Sequence, residues 1–144
     1  RIEVLTGHFQ AEVNQLTESL PLFIAGKSMG GRVASMVADS LFVADRIRGC
    51  LCLGYPFHPL GRPDRLRIEH LQRSTVPMLI VQGERDAMGR FDEVRDYDLA
   101  PSVELAWIPD GDHSFKPRQR SGHSVSTNLQ LAVEKVDDFL RKLL

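Results

Sequence analysis

The residues best suited to chemistry open with Gly26-Lys27-Ser28-Met29-Gly30-Gly31, a G-x-S-x-G pattern set between a short apolar run and a helical one. Between a strand and a helix, this pattern describes a turn so tight that small residues must flank the serine, and it holds the hydroxyl out above the sheet edge. The helix that follows aims its N-terminus at the site, where the backbone N–H of Met29 is placed to donate to an oxyanion. At this glycine and serine content the bare pattern arises by chance in about one chain in twenty, so the strand-turn-helix setting carries the weight. The embedded Gly26-Lys27-Ser28 triplet also invites a phosphate-loop reading, but Pro21 stands where that loop requires its first glycine.

A serine hydroxyl is a weak nucleophile and needs a base that is itself oriented by an acid. A site of this kind takes its partners in the chain order serine, acid, histidine. Of His8, His58, His70, His113 and His123, His113 lies in a Gly-Asp-His turn just after the last expected strand. His8 and His70 fall in or beside helices and read as surface residues. His123 belongs to the approach of the final helix. His58 follows a strand end, so a place lining a pocket and a structural role are both open for it; Tyr55 is the companion candidate for pocket lining. The acid is expected after the third strand, at Gln82-Gly83-Glu84-Arg85-Asp86, where Asp86 can reach toward His113. Glu84 is the nearest competitor, but a solvated ion pair with Arg85 accounts for it. Asp110 and Asp112 read as turn formers that bond their own backbone.

The elements that must position these groups follow from hydrophobic spacing. Phe9, Val13, Leu16 and Leu20 predict a helix from about Gly7 to Ser19, and Pro21 marks its exit. Leu22 to Ala25 predicts a strand buried on both faces. Val33, Val37 and Leu41, with the small Ala34 and Ala38 beside them, form the stripe of a second helix. Ile47 to Leu53 reads as a strand broken by Gly54-Tyr55-Pro56. A proline- and arginine-rich stretch from Phe57 to Arg67 precedes a short helical piece around Glu69 to Arg73. Met78 to Val81, ended by Gly83, is a third strand; Phe91 to Leu99 is a short helix and Val103 to Ile108 a fourth strand. Val125, Leu129, Ala132, Val136, Phe139 and Leu143 mark a last helix. Strands alternating with helices imply an α/β fold, a parallel sheet with helices on both faces. In such sheets ligands bind beyond the carboxyl ends of the strands, where Ser28, Asp86 and His113 all fall.

Composition bounds the rest. With 42% apolar and 26% charged residues, 11 Gly and 8 Pro, the 144 residues match one ordinary folded domain. Eighteen Lys and Arg against nineteen Asp and Glu leave a net charge of −1, without the basic excess that nucleic acid binding requires. No apolar stretch approaches the roughly 18 residues of a membrane span. Cys50 and Cys52, two apart in a strand, share a face that suits neither a mutual disulfide nor zinc; they read as free thiols of a reducing, cytoplasmic setting. No cluster has metal-ligand spacing, so neither a metal nor an organic cofactor is implied. Arg62, Arg65, Arg67 and Arg73 hint at an anionic ligand, although a solvated surface explains them more simply.

These runs, together with Gly54-Tyr55-Pro56-Phe57-His58-Pro59 and Asp110-Gly111-Asp112-His113, resemble the α/β-hydrolases over nearly the whole chain. They are similar to the dienelactone-hydrolase-like branch that includes the testis-expressed-30 and NSL-complex-subunit-3 proteins. The resemblance implies Ser28 as nucleophile, Asp86 as acid and His113 as base, acting on a small ester or related acyl compound. Dienelactone hydrolases proper use cysteine where this chain has Ser28, so their substrate is not implied. Some members of the branch act as scaffolds, which keeps a weakly catalytic or inactive protein-interaction module as the alternative. A flavodoxin-like receiver or nucleotide module is a third reading, for which no phosphate loop or phosphorylation site is evident. The resemblance also implies eight strands where four are found. The expectation is therefore the C-terminal part of a longer hydrolase, with the second oxyanion donor on a loop before Arg1.

Overall fold

In the computed structural model, which describes residues 1–17 and 19–144, four parallel strands lie side by side in chain order. They are β1 (Phe23–Lys27), β2 (Gly49–Leu53), β3 (Met78–Gly83) and β4 (Val103–Ile108). The register pairs Ile24 with Cys50, Cys50 with Met78, and Met78 with Val103. Parallel neighbours need long crossovers, and helices supply them: α2 (Met29–Val43) joins β1 to β2, while α3 (Glu69–Gln72) and α4 (Phe91–Val94) lie in the next two connections. The chain begins with α1 (Ile2–Gln15) and ends with α5 (Val125–Leu143).

Alternation along the strands divides the core in two. Ile24, Cys50, Cys52, Met78 and Ile80 face one side, where Val13 of α1 and Ala34, Val37, Ala38 and Leu41 of α2 cover them. Leu51, Leu79, Val81, Ala106 and Ile108 face the other, against Ala132 and Phe139 of α5. The small alanines on α2 let that helix approach the sheet closely. The result is the expected parallel sheet with helices on both faces.

Several boundaries differ from expectation for local reasons. Helix α1 starts earlier and stops at Gln15, leaving Leu16 as its cap and Leu20 exposed; the expected end of this helix runs through Glu18, outside the described residues. Strand β1 is not buried on both faces. It lies at the sheet edge, and only Ile24 of its five residues is buried. Helix α4 is a single turn rather than a run to Leu99: Asp96 and Tyr97 N–H donate three residues back, to the Glu93 and Val94 carbonyls, in tight turns, and Ala100 N–H then reaches the Leu71 carbonyl at 3.0 Å. Helix α5 matches its expected span, with the Ser124 hydroxyl accepting from Thr127 N–H at its start. Val125 and Leu129 of its apolar stripe are nevertheless exposed, while Asn128 is buried.

That asparagine ties α5 to the loop after β4. Its Nδ2 donates to the carbonyls of Pro109 at 3.0 Å and Phe115 at 2.9 Å. Replacing it with alanine leaves two inward carbonyls without their donor, and a lost buried partner costs about 1–3 kcal/mol. We expect Asn128→Ala to lower the free energy of unfolding by that amount in urea titration, with secondary structure retained by circular dichroism.

Candidate active site

Four strand ends meet at one edge, and close backbone packing shapes each of them. Ser28 is the residue before α2, at φ 51° and ψ −120°, backbone that L residues rarely adopt. Its N–H donates to the Leu53 carbonyl at 2.9 Å, tying the turn to the end of β2. A side chain on Gly26 would run into the backbone of Gly30 and Gly31, and one on Gly31 would lie 2.7 Å from the Gly26 carbonyl oxygen. Gly30, the second glycine of the G-x-S-x-G pattern, has open space where a Cβ would be. The steric demand thus falls on Gly26 and Gly31. Behind them the buried Cys52 thiol donates to the Gly31 carbonyl at 3.3 Å, and the neighbouring Cys50 together with burial pushes this thiol's pKa well up. Both cysteines are free and buried. Met29 opens α2, so its N–H has no acceptor within the helix.

The loop after β4 brings His113 across to the serine. Gly54 sits at φ +66°, and a Cβ there would meet the His113 ring at 3.3 Å and its carbonyl oxygen at 2.9 Å. A Cβ on Gly83 would collide with the Gly111 and Asp112 carbonyls. Two strand ends therefore stay bare so that this loop can lie on them. Asp110 anchors it from the outside, with both carboxylate oxygens on Arg118 and a further contact to Arg85. The Arg118 hydrogen bonds hold its pKa well below the ordinary carboxylate range. Asp112 forms the expected turn by accepting from Ser114 and Lys116 N–H at 2.8 and 3.0 Å. Glu84 does not pair with Arg85 as expected; it accepts from Asp110 N–H at 2.9 Å, and Arg85 turns to Asp110 instead.

The structure brings Ser28, His113 and Asp86 into one hydrogen-bonded chain. His113 Nε2 is 2.9 Å from Ser28 Oγ, and His113 Nδ1 is 2.7 Å from Asp86 Oδ2. Asp86 has no solvent exposure. Its Oδ1 accepts from Met88 N–H at 2.9 Å, and Oδ2 also accepts from Gln82 Nε2 at 3.1 Å. An ionised carboxylate only accepts, so Nδ1 carries the ring proton, and neutral Nε2 is left to accept from the serine hydroxyl. Such a chain can draw the proton from Ser28 Oγ and steady the resulting imidazolium.

Tyr55 is placed differently from expectation, and His58 takes the structural one of the two roles left open for it. Tyr55 is wholly buried, edge-on to Phe57, with its hydroxyl donating to the Arg67 carbonyl at 2.8 Å. His58 is buried between the Pro59 carbonyl, 2.8 Å from Nδ1, and Glu93, 3.3 Å from Nε2. Both pack the core under the site instead of lining a pocket. Gln82, given no role from sequence, is fully buried and binds Tyr55 N–H and carbonyl, the Gly89 carbonyl and Asp86 together. A lone amide inside a strand with every residue buried was the available signal. Among the described residues no group of histidines, cysteines and carboxylates could hold a metal, and no helix is long and apolar enough to cross a membrane.

The family model of the alpha/beta hydrolase domain matches residues 1–141. The chain belongs to the alpha/beta hydrolase family. Its fold is also that of solved hydrolases at low identity. An alpha-beta serine hydrolase homologue from Coxiella burnetii superposes with a TM-score of 0.61 at 19% identity, over 99% of this chain and 58% of the other. The esterase domain of a Rhodothermus marinus protein gives 0.59 at 14%, over 96% and 69%. The monoacylglycerol lipase of Paleococcus ferrophilus gives 0.59 at 12%, over 90% and 74%. The chain thus spans little more than half the length of the first of these and about seven-tenths of the others.

His70 is not the surface residue its helical context suggests. Its Nε2 lies 2.8 Å from Ser35 Oγ and 3.3 Å from the Tyr55 hydroxyl. Burial first, and then the nearby Arg32 charge, bring its pKa down to about 4. Between about pH 6.5 and 4 the unfolded chain takes up a proton that the folded one refuses, so this contribution to stability is complete above that window and is lost as pH falls through it. We expect His70→Gln to flatten the decline of urea-unfolding free energy between pH 6.5 and 4 relative to wild type; parallel curves would deny His70 this role.

Proposed function

We propose that this hydrolase-family chain carries a serine hydrolase site acting on an ester or related small acyl compound. The observation that carries the reading is His113 bridging Ser28 Oγ, at 2.9 Å, and the buried Asp86 carboxylate, at 2.7 Å. Ser28 Oγ attacks the acyl carbonyl while its proton passes to His113 Nε2. The tetrahedral oxyanion meets the unpaired Met29 N–H at the start of α2, where the helix dipole also favours negative charge. His113 returns the proton to the leaving oxygen, which departs and leaves an acyl group on Ser28. A water activated by the same imidazole then releases the acid and restores the serine. Asp86 keeps the imidazole in the tautomer whose Nε2 accepts, and it balances the imidazolium formed in each half-reaction. No step calls for a metal or an organic cofactor. The substitution of serine for the dienelactone hydrolases' cysteine favours ordinary esters over dienelactones, and the two buried free thiols favour a reducing, cytoplasmic setting.

A fluorophosphonate probe reads the nucleophile directly. The expected result is covalent labelling of wild type but not of Ser28→Ala, with His113→Ala hydrolysing p-nitrophenyl acetate about 10²–10⁴-fold more slowly. An unlabelled wild-type protein that is folded by circular dichroism would favour the alternative of an inactive interaction module, and unchanged turnover in His113→Ala would remove the histidine from the mechanism.

A further inference from the structure

One helical turn beyond Ser28, a concavity of about 400 Å³ opens between α2 and the segment around α3, lined by Arg32, Met36, Leu66, Arg67, Glu69, His70 and Arg73. Arg32 follows directly from the elbow, its N–H donating to the Ser28 carbonyl at 3.1 Å. Its guanidinium Nε is buried without a hydrogen-bond partner among the described residues. Arg67, partly buried on the opposite wall, likewise has no carboxylate partner among them, and burial followed by the like charge of Arg32 lowers its pKa. The carboxylate on the rim, Glu69, is held by Arg73 at 2.7 Å. The other sequence arginines separate from this pair: Arg62 meets Asp64 at 3.4 Å, and Arg65 is exposed.

Two unpaired guanidiniums on facing walls repel each other, and a buried N–H without an acceptor costs free energy. An oxyanion that presents two oxygens relieves both, because guanidinium N–H groups match carboxylate and phosphate oxygens in pairs. The remaining wall suits the same ligand. The Ser35 hydroxyl donates to the Arg32 carbonyl and the Tyr55 hydroxyl to the Arg67 carbonyl, so both oxygens accept from His70 Nε2–H. That network is already satisfied within the protein and presents no competing carboxylate. Met36 and Leu66, both partly exposed, supply apolar surface beside the charges.

We infer that this pocket binds the oxyanion end, carboxylate or phosphate, of a small molecule, held between Arg32 and Arg67. The site stands on its own geometry, and its nearness to Ser28 adds that the anion can be carried by the acyl substrate, an extension that rests on the hydrolase reading. Two measurements on the full chain separate these sources. Isothermal titration with inorganic phosphate is expected to show saturable binding that weakens with added salt, and Arg67→Gln and Arg32→Gln should each weaken it at least tenfold, with Arg67→Lys, which keeps the charge but not the paired N–H groups, restoring only part of the loss. Turnover of mono-p-nitrophenyl succinate against p-nitrophenyl acetate reads the substrate source: KM for the anionic ester alone should rise at least tenfold in Arg67→Gln. Phosphate binding without that selective rise assigns the pocket to a free anion. A wild type that hydrolyses neither ester yet binds phosphate at Arg67 defeats the hydrolase reading and leaves the anion site standing. Phosphate affinity that is absent, or equal in wild type and folded Arg67→Gln, together with no selective change in KM, overturns the site.

Discussion

A carboxylate without solvent exposure is among the most costly groups a small fold can hold, and Asp86 is tolerable only because each of its oxygens is occupied. Met88 N–H, Gln82 Nε2 and His113 Nδ1 come from three directions, and each fixes a different piece of chain. Met88 closes the acid's own loop. Gln82 passes the constraint inward along β3 to Tyr55 and thus to the end of β2. His113 passes it outward, across the sheet edge, to Ser28. The buried charge therefore organises the ends of β1 to β4 around itself, and the tautomer of His113 follows from it without further help.

This constraint explains which parts of the site could be read from sequence. Ser28, Asp86 and His113 are each announced by a short local pattern at a strand end, and strand ends in a parallel sheet converge by topology. Gln82 carries no such pattern, since its value lies in three neighbours separated from it by up to 27 residues. Tyr55 and His58 also follow a strand, but the Gln82 amide bonds both backbone groups of Tyr55 and draws that segment into the core, reversing the outward placement their position suggests. Arg32, Arg67 and His70 lie on two segments about 35 residues apart, and only folding shows that α2 and the chain before α3 meet. The four strands were legible because glycine or proline bounds each mainly apolar run, and α5 because its apolar residues recur at helical spacing. The ends of α1 and α4 were not: the Arg46 side chain takes the last carbonyls of α1, and α4 passes into tight turns that periodicity does not mark.

Backbone strain is distributed in the same pattern. Of the four described non-glycine residues with positive φ, Ser28, Asp110 and Phe115 flank the site, while Asp45 follows the far end of α2; the conformation costs about 1–3 kcal/mol at a non-glycine residue. Such residues persist only where the surroundings leave no alternative. Ser28 is held by Leu53 and by the mutual approach of Gly26 and Gly31. Asp110 is held by Arg118 and Arg85, and Phe115 by Asn128 through its carbonyl. The two sides of the Ser28 to His113 bond therefore sit on strained turns whose locks come from different elements: β2 and α2 for the serine, α5 and the 116–118 segment for the histidine. A relaxed turn on either side would let its side chain drift, and a hydrogen bond between two mobile partners contributes little. The strain is stored where it fixes a distance, and the bare glycines at positions 54 and 83 are its counterpart, giving up side chains so that the His113 loop can approach close enough for that distance to be 2.9 Å.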